Sequence, residues 1–180
     1  HGRIHRQSLT HMVTSLFDLF KIGVGPSSSH TVGPMKAASL FVLDLDSRDL
    51  ITGTERVQVD LYGSLALTGK GHATDIATLV GLTGHAPDKV DADAIPVIVN
   101  DIRETTSLNL GGVKVISFNE DTDLVFNYSG RLTQHSNGMK CSAFDAAGSL
   151  LHEQTYFSVG GGFVATLEEI EAGAPDTANV

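Results

Sequence analysis

The order in which hydrophobic periodicity changes along the chain does most to limit its fold. Helical patterns come early. Over 32–45, Thr31 is a candidate N-cap, Pro34 suits the first turn, and Met35, Ala38, Leu40, Val42 and Leu45 supply an apolar body. Ala73 to Thr83 is a second helical stretch, with Ile76, Ala77, Leu79 and Val80 facing inward. Between them, Arg56 to Gly63 alternates as a half-buried strand does: Val57, Val59 and Leu61 on one face, Gln58, Asp60 and Tyr62 on the other. Ser64 to Thr68 reads as an apolar turn or short helix, and 95–102 suits either helix or strand. The second half holds short strand-like runs at 107–110, 113–118, 123–128, 139–145 and 150–158, punctuated by turn residues such as Gly111-Gly112. The glycines of VGGGF (Val159 to Phe163) end the set. Helices first and strands later is not the alternation that builds a parallel α/β sheet. The expected fold is α+β, a mostly antiparallel sheet with helices packed on it.

Length and composition narrow the function. With 180 residues, 41% of them hydrophobic, the chain can bury one substantial core. A net charge of -9 argues against a nucleic-acid partner. No apolar run reaches the ~18–20 residues of a membrane span. One cysteine, Cys141, excludes an internal disulfide framework and suits a reducing, cytoplasmic setting. Residues 1–11 are basic, lack the apolar core of a signal peptide, and read as a cloning-derived tail ahead of Met12. Ser15 to Phe20 is a short amphipathic segment able to cap a core. The expected domain is 12–166, with the acidic, then Ala/Pro-containing stretch 167–180 as a linker.

Four loops carry unusual chemistry: SSSHT (Ser27 to Thr31), GKGHATD (Gly69 to Asp75), HSNGM (His135 to Met139) and SVGGGF (Ser158 to Phe163). Each joins glycines or serines to a polar side chain, and glycine allows close backbone approach to a ligand. SSSHT is either a serine-rich turn with a helix cap or an anion cradle at a helix start, with His30 adding a group that titrates near neutrality. GKGHATD lacks the spacing of a phosphate loop, so a phosphate-binding reading is weak. His72 there stands at a helix entry, where a partial positive charge keeps the ring neutral, as a base requires. The plainer reading is a capping histidine. HSNGM is a hairpin tip by its Asn-Gly signal, or a ligand loop in which Asn137 binds a carboxylate or an amine. His85, His135 and His152 are unclustered and read as surface or structural. No Cys/His pair has zinc-ligand spacing, and no GxSxG is present.

Taken together, SLFDLFKIGVGPSSSHTVGPM, the stretch from Tyr62 to Asp75 (YGSLALTGKGHATD), HSNGM and YFSVGGGF resemble the iron–sulfur-dependent L-serine dehydratases of bacteria, also called L-serine ammonia-lyases. The resemblance covers nearly all of 12–166 and implies the β domain of that enzyme. It also implies likeness to the allosteric substrate-binding domain of some D-3-phosphoglycerate dehydrogenases. The full enzyme turns L-serine into pyruvate and ammonia. Its [4Fe–4S] cluster sits on a catalytic α domain, so 167–180 would lead toward that domain, and the β domain alone would be inactive. One cysteine cannot hold such a cluster.

By motif position the resemblance makes His72 the favoured base and His30 the second catalytic histidine. Thr74, Asn137 and Ser158 would bind and orient the serine, with Ser28, Ser29, Thr31 and Gly138 as further pocket residues; no metal ligand is expected in this chain. Glycine-rich edges and late strands point to a homodimer. The rival from another class is a regulatory serine-binding domain without a catalytic role, distinguished by serine binding to the isolated domain.

Overall fold

Among the described residues the chain is already helically wound at Ser28, earlier than a cap at Thr31 would allow. Ser28–Val32 is a single π-helical turn that runs directly into α1 (Gly33–Ser47). Val32, at the cap position, already has helical dihedrals (φ -64°, ψ -43°) and no side chain caps the helix. An N-cap residue is normally extended, so the expected Thr31 cap is corrected: Thr31 is an internal residue of the turn and only 2% exposed. Pro34 does occupy the first turn. The computed structural model describes residues 28–69, 73–129 and 135–173. The segment 15–20, the tail 1–11, the end of the linker 174–180, and Lys70 and His72 lie outside them.

β1 (Arg56–Tyr62) realises its alternation, with Val57, Val59 and Leu61 fully buried. α2 (Ser64–Thr68) follows at once, and then α3 (Thr74–Leu82). The ambiguous stretch is helical, α4 (Ala94–Thr105), because Ile95, Val99 and Ile102 repeat at four and three residues and are all buried. β2 (Ser107–Leu110) and β3 (Lys114–Ser117) form a separate antiparallel hairpin around the two glycines. α5 (Glu120–Asp123) then leads to β4 (Leu124–Asn127), β5 (Gly138–Phe144), β6 (Leu150–Gly160), β7 (Phe163–Thr166) and the short α6 (Leu167–Gly173), which buries nothing.

The main sheet has the order β4-β1-β5-β6-β7. Three pairings are antiparallel, and β4 alone runs parallel to β1. This is the expected α+β build with a mostly antiparallel sheet. β4 pairs with β1 and not with the β2–β3 hairpin, and beside that pairing Arg56 Nε donates to Asp123 Oδ1 at 2.9 Å. VGGGF does not end the strands but turns β6 into β7.

The register places Val59, Cys141 and Gln154 on one face, along with Leu61, Met139 and Tyr156. α1 lies on this face: His152 Nε2 is 2.5 Å from Asp44 Oδ2, and the His152 ring stacks on Phe41 at 5.8 Å. Met35, Ala38, Phe41 and Leu45 of α1 have no exposed surface, and full burial of a Met, Phe or Leu side chain stabilises by roughly 1.5–3 kcal/mol. α3 packs against α1. A Cβ added at Gly81 would stand 2.4 Å from the Met35 carbonyl oxygen, so the two helices meet backbone to backbone. The rigid stack leaves the loops at the sheet's end to carry the chemistry.

Candidate active site

The four polar loops close into a ring. The first contact joins SSSHT to the second motif. His30 Nε2 lies 2.8 Å from Ser64 Oγ at the start of α2, and Ser29 Oγ lies 2.8 Å from His30 Nδ1. Thr74 Oγ1, at the start of α3, donates to the His30 carbonyl in a very short hydrogen bond. Thr74 has no exposed surface, and its carbonyl accepts from Thr78 Oγ1 at 2.7 Å.

The second contact joins the end of β1 to HSNGM. Ser64 N–H donates to the Ser136 carbonyl at 2.8 Å. Gly63 makes this approach feasible: its φ is +58°, and a Cβ there would stand 2.2 Å from the Ser136 oxygen. A side chain at this position is excluded both by strain and by space.

The third contact joins HSNGM to SVGGGF. Asn137 Nδ2 donates to the Ser158 carbonyl at 3.3 Å, and Ser158 N–H donates to the Asn137 carbonyl at 3.0 Å. His135 Nδ1 accepts from Asn137 N–H at 3.0 Å, and its ring meets Phe157 edge-on. These two contacts hold the His135 ring in place at the start of the loop. Gly138 is buried as the first residue of β5 and pairs with Phe157, so Asn137-Gly138 enters a strand and is not a hairpin tip. The last contact closes the ring: a Cβ at Gly162 would stand 3.2 Å from Val32 Cγ1, beside the π-helical turn. Gly160, Gly161 and Gly162 all have positive φ, which explains the glycine triplet by the turn it makes.

Among the described residues, Asn137 Oδ1 and Ser158 Oγ are buried without a hydrogen-bond partner. Buried polar atoms are almost always paired, and two orphans side by side at one loop contact mark a place where a ligand can supply what is missing. The ring therefore assembles Ser29, His30, Thr31, Thr74, Asn137 and Ser158 at one end of the sheet. Ser28 begins the π-helical turn. His72, the favoured base, falls outside the described residues, although Thr74 fixes the chain two positions later. Ser64, which opens the apolar stretch SLALT and which sequence reasoning passed over, also stands in the ring through its contact with His30.

The profile of the family described as serine dehydratase beta chain matches residues 15–169, which include all four loops. The chain belongs to this family. It is 48% identical over 167 residues to L-serine dehydratase 2 of Escherichia coli (strain K12), covering 92% of this chain and 36% of that protein. It is 46% identical over 151 residues to the L-serine dehydratase of Haemophilus influenzae, covering 83% of this chain and 33% of the relative. For the L-serine dehydratase of Streptomyces coelicolor the identity is 45% over 161 residues, with 89% of this chain and 35% of the relative covered. The chain thus spans about a third of the length of the curated relatives it matches.

The described residues of this β-chain member do not fit an iron–sulfur cluster. No group of three or more His, Cys, Asp or Glu among them is placed to hold a metal ion. Cys141 is fully buried in β5, and burial, reinforced by the Asp60 charge, pushes its thiol far above the ordinary value. A protonated thiol enclosed in a sheet is not a cluster ligand. Among the described residues no helix is long and apolar enough to cross a membrane.

Proposed function

We propose that this chain is the β domain of an L-serine dehydratase and that its ring of loops forms one wall of the serine pocket. In that reaction L-serine loses its α-proton and its hydroxyl as water, leaving 2-aminoacrylate. The enamine tautomerises to an imine, and hydrolysis gives pyruvate and ammonium. The observation that carries this reading is the closed ring, with two buried and unpartnered polar atoms at one of its contacts.

The hydrogen-bonding capacities of those atoms divide the work. Asn137 Oδ1 is an acceptor only, so it takes the substrate ammonium. Ser158 Oγ carries a proton to donate, and it takes the carboxylate. A paired carboxylate leaves the adjacent α-proton easier to remove. His30 has both ring nitrogens within 2.8 Å of serine hydroxyls, which suits an orienting group better than a base that must present a bare nitrogen. His72 is assigned as the base from its motif position. Thr74 holds the His30 backbone from behind, while Ser28, Ser29, Thr31 and Gly138 complete the wall. The opposite wall and the [4Fe–4S] cluster would belong to a catalytic α domain, since the one cysteine of this chain cannot hold a four-iron cluster.

The test is pyruvate release from L-serine by the enzyme that carries this chain together with an α domain. His72→Ala is expected to abolish turnover while the cluster's absorbance is retained. Near-normal turnover in that variant refutes the base assignment. Failure of the unmodified enzyme to release pyruvate from L-serine refutes the dehydratase reading itself.

A further inference from the structure

Two neighbouring side chains at the start of α3 serve different parts of the molecule. Thr74 donates to the His30 carbonyl in the loop ring. Asp75, the next residue, reaches α4 instead: Arg103 Nη2 donates to Asp75 Oδ2 at 3.3 Å. Arg103 is held more closely by Glu120 of α5, with Nε 2.7 Å from Oε2 and Nη2 3.0 Å from Oε1. These three side chains line a cleft of about 510 Å³, together with Asp121, Tyr128 and residues of β4. β4 is an edge strand of the main sheet. The volume falls within the roughly 300–1,000 Å³ of small-molecule sites.

The charge left in the cleft is negative. Three carboxylates, those of Asp75, Glu120 and Asp121, meet one guanidinium. Glu120 takes Arg103 in a two-point fork, which leaves little of that charge to attract an anion. Asp121 enters no ion pair among the described residues. Asp75 Oδ1 is buried without a hydrogen-bond partner. A carboxylate oxygen in that state is costly, and a cation brought to it offsets the cost.

The cleft also carries an aromatic surface. Phe126 and Tyr128 stack at 6.1 Å with their planes 17° apart, and Tyr128 is 60% exposed. The face of such a ring attracts a cation. A bare metal ion makes little use of this surface, and no group of three or more His, Cys, Asp or Glu among the described residues is placed to hold one. An ammonium group on an apolar stem uses both features: its charge meets Asp75 and Asp121, and its stem meets the rings.

We propose that the cleft between α3, α4, α5 and β4 is a binding site for a small organic ammonium ion. Asp75 and Asp121 take the charge, and Phe126 and Tyr128 take the stem. The proposal does not rest on the reading of the loop ring as a serine pocket.

The probe is n-butylammonium chloride, titrated into the 15N-labelled chain at low salt and about pH 7, where an alkylammonium is charged. 1H–15N spectra should show saturable shifts at the amides of Asp75, Asp121, Phe126 and Tyr128. Sodium chloride at equal ionic strength and 1-butanol, which has the stem without the charge, should not reproduce them. Asp75→Asn keeps the shape and removes the charge, and should weaken binding by about tenfold or more. Tyr128→Leu should weaken it by about threefold. Glu153→Gln, a carboxylate of β6 that does not line the cleft, should leave it unchanged. Should Asp75→Asn fail to fold, Asp121→Asn is read in its place. The absence of saturable shifts, or equal shifts with sodium chloride or 1-butanol, overturns the proposal. Unchanged affinity in the folded asparagine variant or in Tyr128→Leu overturns it as well.

Discussion

Asn137 and Ser158 exchange hydrogen bonds across the end of the sheet, the Asn137 amide donating to the Ser158 carbonyl at 3.3 Å and the Ser158 N–H donating to the Asn137 carbonyl at 3.0 Å. The pairing uses the Asn137 Nδ2 and both backbones, yet leaves Asn137 Oδ1 and Ser158 Oγ unpartnered. Ser158 is 4% exposed, so its hydroxyl is desolvated without return in the free protein. A group kept at a cost to folding is expected to serve binding. Ser158→Ala should therefore leave the thermal midpoint unchanged or raise it slightly, because it removes an unsatisfied donor. The same change should weaken L-serine use in the full enzyme, seen as a higher KM. A fall in midpoint of several degrees together with unchanged kinetics would show that Ser158 is a structural residue.

Thr74 shows the opposite balance. Its hydroxyl donates to the His30 carbonyl, and the residue is fully buried. Thr74→Val keeps shape and β-branching but leaves that carbonyl without this donor. The expected cost is about 1 kcal/mol, the scale of one lost hydrogen bond. Thr74→Ser should recover most of it, since the hydroxyl remains. Urea unfolding of the three proteins measures this, and equal stability of the valine variant would mean that the short contact contributes nothing.

The contrast between these residues follows what was legible in the sequence. Local patterns survived: Val57, Val59 and Leu61 alternate into the core, and Pro34 marks the first turn of α1. The loops were also recognisable, because serine, glycine and histidine clusters are rare between apolar elements. What pairs with what was not legible. Leu124 to Asn127 looks like any short strand, and its parallel register with β1, accompanied by the Arg56–Asp123 contact across 67 residues, joins segments far apart in the chain. Asn137-Gly138 carries a hairpin signal, but Gly138 finds its partner in Phe157 and is drawn into a strand. Thr31 looked like a cap because a π-helical turn has no sequence signature of its own. Ser64 was hidden for the simplest reason: its contact with His30 spans 34 residues of sequence.

Gly81 tests the packing that holds the site's scaffold. A Cβ there would stand 2.4 Å from the Met35 carbonyl oxygen and 2.7 Å from Ala38 Cβ. Neither is the far end of a flexible side chain, so α1 and α3 must move apart. Helix propensity alone favours alanine over glycine by about 1 kcal/mol, but overpacking of a tight core costs about 1–3 kcal/mol or more. The second effect is expected to win. Gly81→Ala should lower stability, and because α1 begins at the π-helical turn and α3 at Thr74, it should also disturb His30. A more stable Gly81→Ala variant would mean that the helices are less closely packed than described.

Asp44 sets an acid limit on the contact between α1 and the sheet. Burial works to raise its pKa, but hydrogen bonds and charge from Arg48 and His152 outweigh burial and hold the carboxyl below its ordinary value. Arg48 Nε is 3.0 Å from Asp44 Oδ1, while His152 reaches Oδ2 and stacks on Phe41. A carboxylate whose folded pKa is depressed binds fewer protons in the folded state than in the unfolded state between the two values. Its stabilisation is therefore complete above the unfolded value of about 3.9 and is lost as pH falls through the folded one. Asp44→Asn should reduce stability by about 1 kcal/mol near neutrality, a modest figure because Arg48 is more than half exposed and its charge is screened. That deficit should shrink toward zero below about pH 3. Thermal midpoints of both proteins, measured from about pH 6 down to about pH 2.5, give the comparison directly. A deficit that stays constant across this range would assign the effect to the shape of the side chain and not to its charge.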